Sequence, residues 1–449
     1  MKRTYELTEG PIIPTLMKVA LPIIATNFMS TMYGLVDMIW IGRLGSGPVA
    51  AVGTAVFFVH LAVALFTIVS IGTGVKVAHS IGAGKAEQAK VYIHNGLWMS
   101  LLLGALYMAF IITAQNQLIG YFELGAEEIE RMASQYLLLT IIGTFFSFFN
   151  ILFSTVFTSM GDSGKPFRVQ TVGFLVNLIL DPVLIFGIGH FDGLGVSGAA
   201  LATVAANVVV TCLFVVHIQK AQMLSRPFTI QADKMKEVLR MGSPIMVQRV
   251  AFIAISIIIA KIIVQWGPDA IAVQRIGIQI ESISFMTIGG LQGAMAAFIG
   301  QNFGAHRLDR IQKGYRNALF ITSIFGILIS LLFVLFPRSI FSMFLAEEPS
   351  LSLGVDYMRI IGLSQLFMCV ELMTVGAFNG IGKTHIPPIV SISLTALRIP
   401  MALLLSGPFG LNGVWMSIAI SSVLKGIVMV FWFMRTSGKR NEPMGNNGI

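Results

Sequence analysis

The chain has 449 residues, of which 55% are hydrophobic and 11% are charged, and its mean hydropathy is +0.81. So few charges cannot cover a water-facing surface, which excludes an ordinary soluble domain. The net charge of +9 comes from basic residues that are spread over short connections without interleaved aromatic clusters, which argues against nucleic-acid binding.

Twelve apolar segments follow one another along the chain, each long enough as a helix to cross a hydrocarbon core of about 30 Å. They are apolar on all sides, whereas the strands of a membrane barrel would alternate in polarity. The sequence therefore predicts an all-α polytopic membrane protein. The predicted spans cover residues 15–42, 49–79, 90–115, 131–158, 168–188, 195–219, 240–265, 269–303, 314–336, 353–380, 386–406 and 411–434.

Charged residues in the connections predict the orientation of these spans. Basic residues gather in alternate connections, at Lys85, Lys90, Lys165, Arg168, Lys220, Arg226, Lys234, Arg307 and Lys313, and in the tail at Lys439 and Arg440. The other connections carry mainly acids, at Glu123, Glu127, Glu128, Asp192, Asp269, Glu347 and Glu348. The positive-inside rule then predicts a multi-pass protein of the plasma membrane with both termini in the cytoplasm.

The two halves of the chain repeat each other at a shift of about 221 residues. Gly82 aligns with Gly304, and GDSGKP from Gly161 aligns with GKTHIP from Gly382. Six spans per half predict two six-helix bundles, related by a pseudo-twofold axis along the membrane normal, with a central cavity between them. We predict an N-lobe at 1–219, a cytoplasmic linker at 220–239, a C-lobe at 240–436 and a polar tail at 437–449.

Motifs for enzymatic chemistry are not convincing in this chain. AFNGIGKT, from Ala377, fits a loose phosphate-loop pattern, but it follows a membrane span and not a strand, so we expect its glycines to end a helix. The linker is too short for a nucleotide-binding domain, so uphill work would need an ion gradient. We predict neither an enzyme nor a protein with a cofactor or structural metal.

Acidic residues inside the spans are candidates for function, because a charge at mid-bilayer costs about 2.5 to 3.5 kcal/mol. Asp37 follows Thr26, Ser30 and Tyr33 on one stripe of the first span, which should face the bundle interior. Tyr33 is therefore a candidate substrate contact.

The fifth span contains a second acid, Asp181, one helical turn after Asn177 and directly before Pro182. Thr203 of the sixth span is a plausible neighbour. Two carboxylates, an amide and a hydroxyl in one bundle could hold a proton or a sodium ion. Two close carboxylates in a low dielectric do not easily both ionise, which would make the pair a proton switch. The alternative is that both acids are packed polar residues bonded to other helices.

In the second half, Glu371 lies on one face of the tenth span with Met368, and its repeat partner in the first half is Asn150. Glu281 lies in the eighth span, where an ion pair with Arg275 is possible. Asn150, Glu281, Met368 and Glu371 are therefore candidates for a substrate or C-lobe site.

The chain resembles the multidrug and toxic compound extrusion (MATE) family over essentially all twelve spans. The resemblance is carried by MYGLVDMIWIGRLG, SIGAGK, MGDSGKP, QNFGAH and NLILDPVLIFGIGHFDGLGVSGAALAT. It implies a V-shaped cleft, alternating access, and export of organic, often cationic and amphipathic compounds in exchange for protons or sodium. It also implies a monomer in contact with membrane lipids and without a prosthetic group.

Within this resemblance, Asp37, Asn177, Asp181 and Thr203 match the N-lobe cation site of the family. Glu371 occupies the acidic position of the tenth span, but the seventh span offers Gln248 and Arg249 where an acid is expected. That departure favours the DinF-like, proton-coupled branch over a sodium-coupled one.

The main alternative is a flippase for lipid-linked saccharide precursors, in which Lys261, Arg275 and Arg398 would recognise phosphate. A membrane-embedded enzyme is a further alternative, but the sequence shows no clustered catalytic acids, metal motif or nucleophile dyad to support it.

Overall fold

A computed structural model describes residues 7–224, 230–345 and 347–438 of the protein, and these residues are almost entirely α-helical. Eleven helices in this part of the chain are long and apolar enough to cross a membrane. A bent pair, Glu348–Gly362 with Gln365–Gly380, makes a twelfth span if it is counted as one. The prediction of an all-α polytopic protein is confirmed.

The described residues divide into two compact units. The first is Leu21–Met246, and the second combines Leu7–Ala20 with residues 247–438. The first half of the chain forms α1 (Ile12–Gly42), α2 (Ser46–Gly82), α3 (Ala86–Gly120), α4 (Glu127–Ser159), α5 (Gly164–Phe186), β1 (Gly187–Ile188), β2 (Phe191–Asp192) and α6 (Val196–Lys220). The second half forms α7 (Ala232–Ile263), a 3-10 turn (Val264–Trp266), α8 (Pro268–Gly304), α9 (Leu308–Leu335), α10 (Pro337–Phe341), α11 (Glu348–Gly362), α12 (Gln365–Gly380), α13 (Ile386–Ala396), α14 (Arg398–Phe409) and α15 (Leu411–Gly438).

The region predicted as a linker, 220–239, is partly helical, because α7 already begins at Ala232. The start of α7 is tied to the first unit by Glu237, whose carboxylate accepts bonds from Lys76, Lys234 and Tyr92 at 2.6 to 2.7 Å. Arg226, Lys439, Arg440 and residues 439–449 of the predicted tail lie outside the described residues.

The internal repeat appears directly in the helix boundaries. Helices α2 and α8 both have 37 residues, and α8 begins and ends 222 positions after α2. Helix α4 in turn begins and ends 221 positions before the pair α11 and α12. The same design is therefore built twice.

The two copies differ where the second one bends. The tenth span was expected to be one helix over 353–380, but α11 and α12 meet at 50° around Leu363 and Ser364. The Ser364 hydroxyl donates to the Ile361 carbonyl at 2.8 Å, which competes with the helical bonding of that carbonyl. The predicted tenth span therefore consists of two helical segments.

The fifth span ends two residues earlier than expected, because α5 ends at Phe186 and a two-residue antiparallel pairing of β1 with β2 follows. Gly187 has a φ of 84°, a conformation that glycine adopts without strain, and it turns the chain out of the helix. The glycine of the rejected phosphate-loop pattern behaves likewise: α12 ends at Gly380 and Gly382 has a φ of 75°.

Helices α5 and α6, which carry Asn177, Asp181 and Thr203, pack closely against each other. A side chain at Gly173 would meet the Val210 side chain, and one at Gly198 would overlap the Leu184 backbone. Small residues at these crossings let the two helices approach.

Candidate functional site

The four residues predicted as the N-lobe cation site lie together in the first unit. Asn177 and Asp181 on α5 are fully buried, and the Asn177 side-chain amide donates to Asp181 Oδ1 at 3.0 Å. The half-buried carboxyl group of Asp37 on α1 lies within hydrogen-bonding reach of Asp181 and Asn177. Thr203 on α6 lies beside Tyr33, one helical turn before Asp37.

Five oxygen atoms of this cluster are buried without a well-formed hydrogen bond to any described residue. They are Tyr33 Oη, Asp37 Oδ1, Asn177 Oδ1, Asp181 Oδ2 and Thr203 Oγ1. Buried polar atoms nearly always have hydrogen-bond partners in proteins. Several oxygen atoms without such partners in one place therefore indicate a binding site for a proton or a cation. These oxygen atoms could hold a proton shared between the carboxylates, and they could equally coordinate a hard cation such as sodium.

The two carboxyl groups are close enough to share a proton. Asp37 and Asp181 lie within reach of each other, and two ionised carboxylates only accept hydrogen bonds. A hydrogen bond between them forms when one carries a proton, as in other carboxylate pairs. Among the described residues, no group of three or more His, Cys, Asp or Glu side chains could hold a metal ion.

A tyrosine that the sequence did not single out also faces this cluster. Tyr136 of α4 is 4% exposed and interacts electrostatically with Asp37 and Asp181. Its position near the start of a long apolar span gave no signal, because tyrosine is common at that depth in membrane helices.

A cavity of about 240 Å³ in the first unit continues the polar stripe of α1 away from the carboxylates. It is lined by Thr26 and Ser30, which precede Tyr33 on the same face of α1, and by hydroxyl groups of α4. The full lining is Ile23, Thr26, Asn27, Ser30, Ile151, Ser154, Thr155, Thr158, Ser163, Pro166 and Gln170. Such a lining suits water.

In the second unit, Glu371 is buried and forms a salt bridge of 2.9 Å with Lys425 of α15. Ser391 of α13 donates a further hydrogen bond of 3.0 Å to the same carboxylate. Lys425 was not singled out from the sequence, although a lysine inside the last span, 411–434, is a detectable signal.

The repeat partner of Glu371, Asn150, lies in the first unit and makes neutral contacts. Its amide nitrogen donates to the Asn207 side chain at 3.2 Å, and its oxygen accepts from Thr211 at 2.7 Å. These bonds join α4 to α6 and leave Asn150 occupied. An ion pair in one half thus corresponds to an amide network in the other.

The sequence suggests an ion pair between Glu281 and Arg275, but the structure does not contain it. Its carboxylate accepts hydrogen bonds from Tyr357 at 2.5 Å and from Gln365 at 3.2 Å, whereas Arg275 is exposed. The tenth span bends over α8 and brings both donors to Glu281, which a spacing argument within α8 could not foresee. Met368 is buried in an apolar cluster with Ile288, Cys369, Phe325 and Leu372.

Comparisons with known proteins agree with this architecture. The MatE family model matches residues 22–183 and 244–404, so the two matches are displaced by 221 or 222 residues. The chain is 27% identical over 432 residues to a Thermotoga maritima protein named "Probable multidrug resistance protein NorM", covering 94% of this chain and 92% of that protein. It is 25% identical over 443 residues to a Shewanella oneidensis protein named "FAD transporter", covering 97% of each.

A solved structure described as the outward-facing conformation of a multidrug resistance MATE family transporter has a TM-score of 0.88 to this chain. The two are 22% identical, and the match covers 98% of this chain and 100% of the other. That likeness establishes the fold, and the family model covers most of both halves. The chain belongs to the MATE family of membrane transporters.

Proposed function

We propose that this protein exports organic, often cationic and amphipathic compounds in exchange for protons by alternating access. The buried cluster of five oxygen atoms around Asp37 and Asp181, none of which has a well-formed hydrogen bond to a described residue, carries this proposal, because it provides a place for a coupling ion. The names of relatives such as NorM favour multidrug compounds as the substrates. We infer a monomer in which the N-lobe, residues 1–219, couples the ion, while the C-lobe spans residues 240–436.

In the proposed cycle, a proton from outside binds the Asp37 and Asp181 pair and draws the two carboxyl groups together. Pro182 lies inside α5 directly after Asp181, where it removes a backbone hydrogen bond and eases bending. Movement of α1 and α5 then releases the bound compound. Loss of the proton to the cytoplasm separates the carboxylates again and resets the transporter.

The Glu371 and Lys425 pair in the second unit favours protons over sodium as the coupling ion. It also favours the DinF-like branch of the family. The buried acid at the position of the family's C-lobe site, Glu371, already has an ammonium partner in Lys425, which disfavours a second coupling cation at that carboxylate. The all-oxygen cluster in the first unit would nevertheless accept sodium, so the coupling ion needs a direct test.

A second candidate function is the movement of an anionic compound across the membrane. The relative named "FAD transporter" favours it, because FAD carries a diphosphate. The flippase for lipid-linked saccharide precursors is the lipid form of the same possibility. Arg398, discussed below, is the residue in this chain that would serve such a substrate.

The test is transport of rhodamine 6G into everted vesicles, driven either by a pH gradient or by a sodium gradient. We expect the pH gradient to drive uptake by the wild type and to fail with Asp37→Asn. Asp192→Asn, the same change at an exposed position outside the cluster, should behave as the wild type. Uptake driven only by sodium would replace the proton with sodium, and full pH-driven uptake by Asp37→Asn would refute the site.

A further inference from the structure

Arg398 is a charged residue in the middle of a membrane span. It begins α14, directly after a one-residue break at Leu397, within the span Ile386–Phe409. Its Nε and Nη2 donate to the hydroxyls of Ser421 and Ser422 at 3.0 and 3.2 Å. In the part of the chain that the structure describes, it forms no salt bridge. A guanidinium held only by neutral hydroxyls in a membrane is unusual and indicates a function.

Glu371 carries a buried carboxylate that could neutralise Arg398, but this carboxylate is already bound by other residues. Glu371 attracts Arg398 electrostatically, but its two oxygens bind Lys425 at 2.9 Å and Ser391 at 3.0 Å. Lys425 therefore neutralises Glu371 directly. The positive charge of Arg398 is left without a contacting anion.

The carboxylate of Glu281, in the same unit, also makes its hydrogen bonds to residues other than Arg398. Glu281 also attracts Arg398 from a distance, but it accepts its hydrogen bonds from the Tyr357 hydroxyl and the Gln365 amide. These neutral donors fix the carboxylate on α8. Neither of these two acids thus contacts Arg398, which is half-buried.

Further unsatisfied groups lie on the helices next to Arg398. Thr395 Oγ1, one turn earlier in the same span, and Trp415 Nε1 on α15 are buried without a hydrogen-bond partner among the described residues. The Trp415 ring packs edge-on against Tyr357, with 5.2 Å between the ring centroids, and Tyr357 is the residue that donates to Glu281. An indole N–H and a guanidinium both donate, so the unsatisfied capacity here is mainly that of donors.

The internal repeat gives the position of Arg398 a meaning. The motifs before the two helices lie 221 residues apart, which aligns Arg398 with Asn177 of the N-lobe cluster, and helices α5 and α13 begin 222 residues apart, which aligns it with the neighbouring Val176. By the same shift, Ile259 takes the place of Asp37. The second half therefore has an apolar residue at the position of Asp37 and a cation at or next to the position of Asn177.

We propose that Arg398, supported by Ser421 and Ser422, binds the carboxylate or phosphate group of a transported amphipathic compound. The inference rests on the proposed transport function and adds a substrate class to it. Compounds with an aromatic body and an anionic group would then be carried in addition to cations, and the anionic group would supply the contacting anion that the guanidinium lacks. Arginine suits such groups because its planar fork can donate two parallel hydrogen bonds.

The test compares two dyes on one xanthene scaffold in proteoliposomes, anionic 5-carboxyfluorescein and cationic rhodamine 6G, and adds NBD-phosphatidylglycerol flipping as a lipid arm. Arg398→Gln should lower carboxyfluorescein transport by roughly tenfold or more while rhodamine 6G transport stays near the wild-type rate. Arg398→Lys should keep part of the anion transport. Arg359→Gln, which removes an exposed arginine of α11, should change neither dye.

The outcomes separate the two proposals. Arg398-dependent movement of the soluble dye points to free organic anions, and Arg398-dependent movement of the lipid points to a headgroup; both support the inference. A wild type that moves rhodamine 6G but neither anion overturns it, and so does an equal loss of both dyes in Arg398→Gln and Arg398→Lys. A wild type that moves only the anions refutes the proposed cation export instead.

Discussion

The Glu371 and Lys425 pair is buried in the second unit, with about 5 and 7% of the side chains exposed. Removing one member leaves the other as an uncompensated buried charge, which costs about 3 to 5 kcal/mol. We therefore expect Lys425→Met to lower the thermal stability of the purified protein strongly. Glu371→Gln should have a similar effect.

The double variant Glu371→Gln with Lys425→Met removes both charges and should recover most of that loss, because a neutral pair needs no buried counterion. Melting of all four proteins in one detergent checks this. A double variant that is as unstable as the sum of the single variants would show that the two side chains do not act as a pair.

Individual residues differ in how well the sequence predicts them. Asp37, Asn177 and Asp181 could be predicted because acids are costly in a membrane and a four-residue spacing places neighbours on one helix face. Tyr136 could not, because its electrostatic interaction with the acids depends on how α4 is placed in the bundle. The partners of Glu281 likewise come from a distant span.

At the scale of elements, contacts between α8 and α12 depend on glycine. A side chain at Gly376 would overlap the backbone of Gln292, and one at Gly380 would press on Ile299. Two membrane helices approach this closely only where one of them lacks side chains.

Gly376→Ala should therefore destabilise the protein by about 1 to 3 kcal/mol, because the extra methyl group meets backbone that cannot rotate away. Gly53→Ala is the matched control, since Gly53 lies inside α2 with open space around it. There the change should be neutral or stabilise by about 0.5 to 1 kcal/mol. Equal melting temperatures for Gly376→Ala and the wild type would contradict the packing at this crossing.

Span number and order followed from apolar length and the repeat, but the break at Leu363 and Ser364 did not. The first-half counterpart, α4, has a comparable composition but is a single unbroken helix. A bend of 50° depends on local competition for one carbonyl and on packing between helices, and neither is visible in hydropathy.

At the scale of the whole molecule, the distribution of basic residues predicts cytoplasmic termini. Lys85, in the connection before α3, and Glu128, in the first turn of α4 after the next connection, are both exposed, so they should face opposite sides of the membrane. In a background with Cys212→Ser and Cys369→Ser, a membrane-impermeant maleimide should label Glu128→Cys in intact cells. Lys85→Cys should react only after permeabilisation, and the reverse pattern would invert the topology.

The most direct test of the central claim, that substrate is exchanged for a proton held by Asp37 and Asp181, is proton release on substrate binding. Purified protein in weakly buffered detergent is mixed with rhodamine 6G while a pH indicator is followed. The wild type should release protons as it binds the dye, and Asp37→Asn and Asp181→Asn should bind it with little or no release. Undiminished release from both variants, or binding by the wild type without any release, would contradict the account.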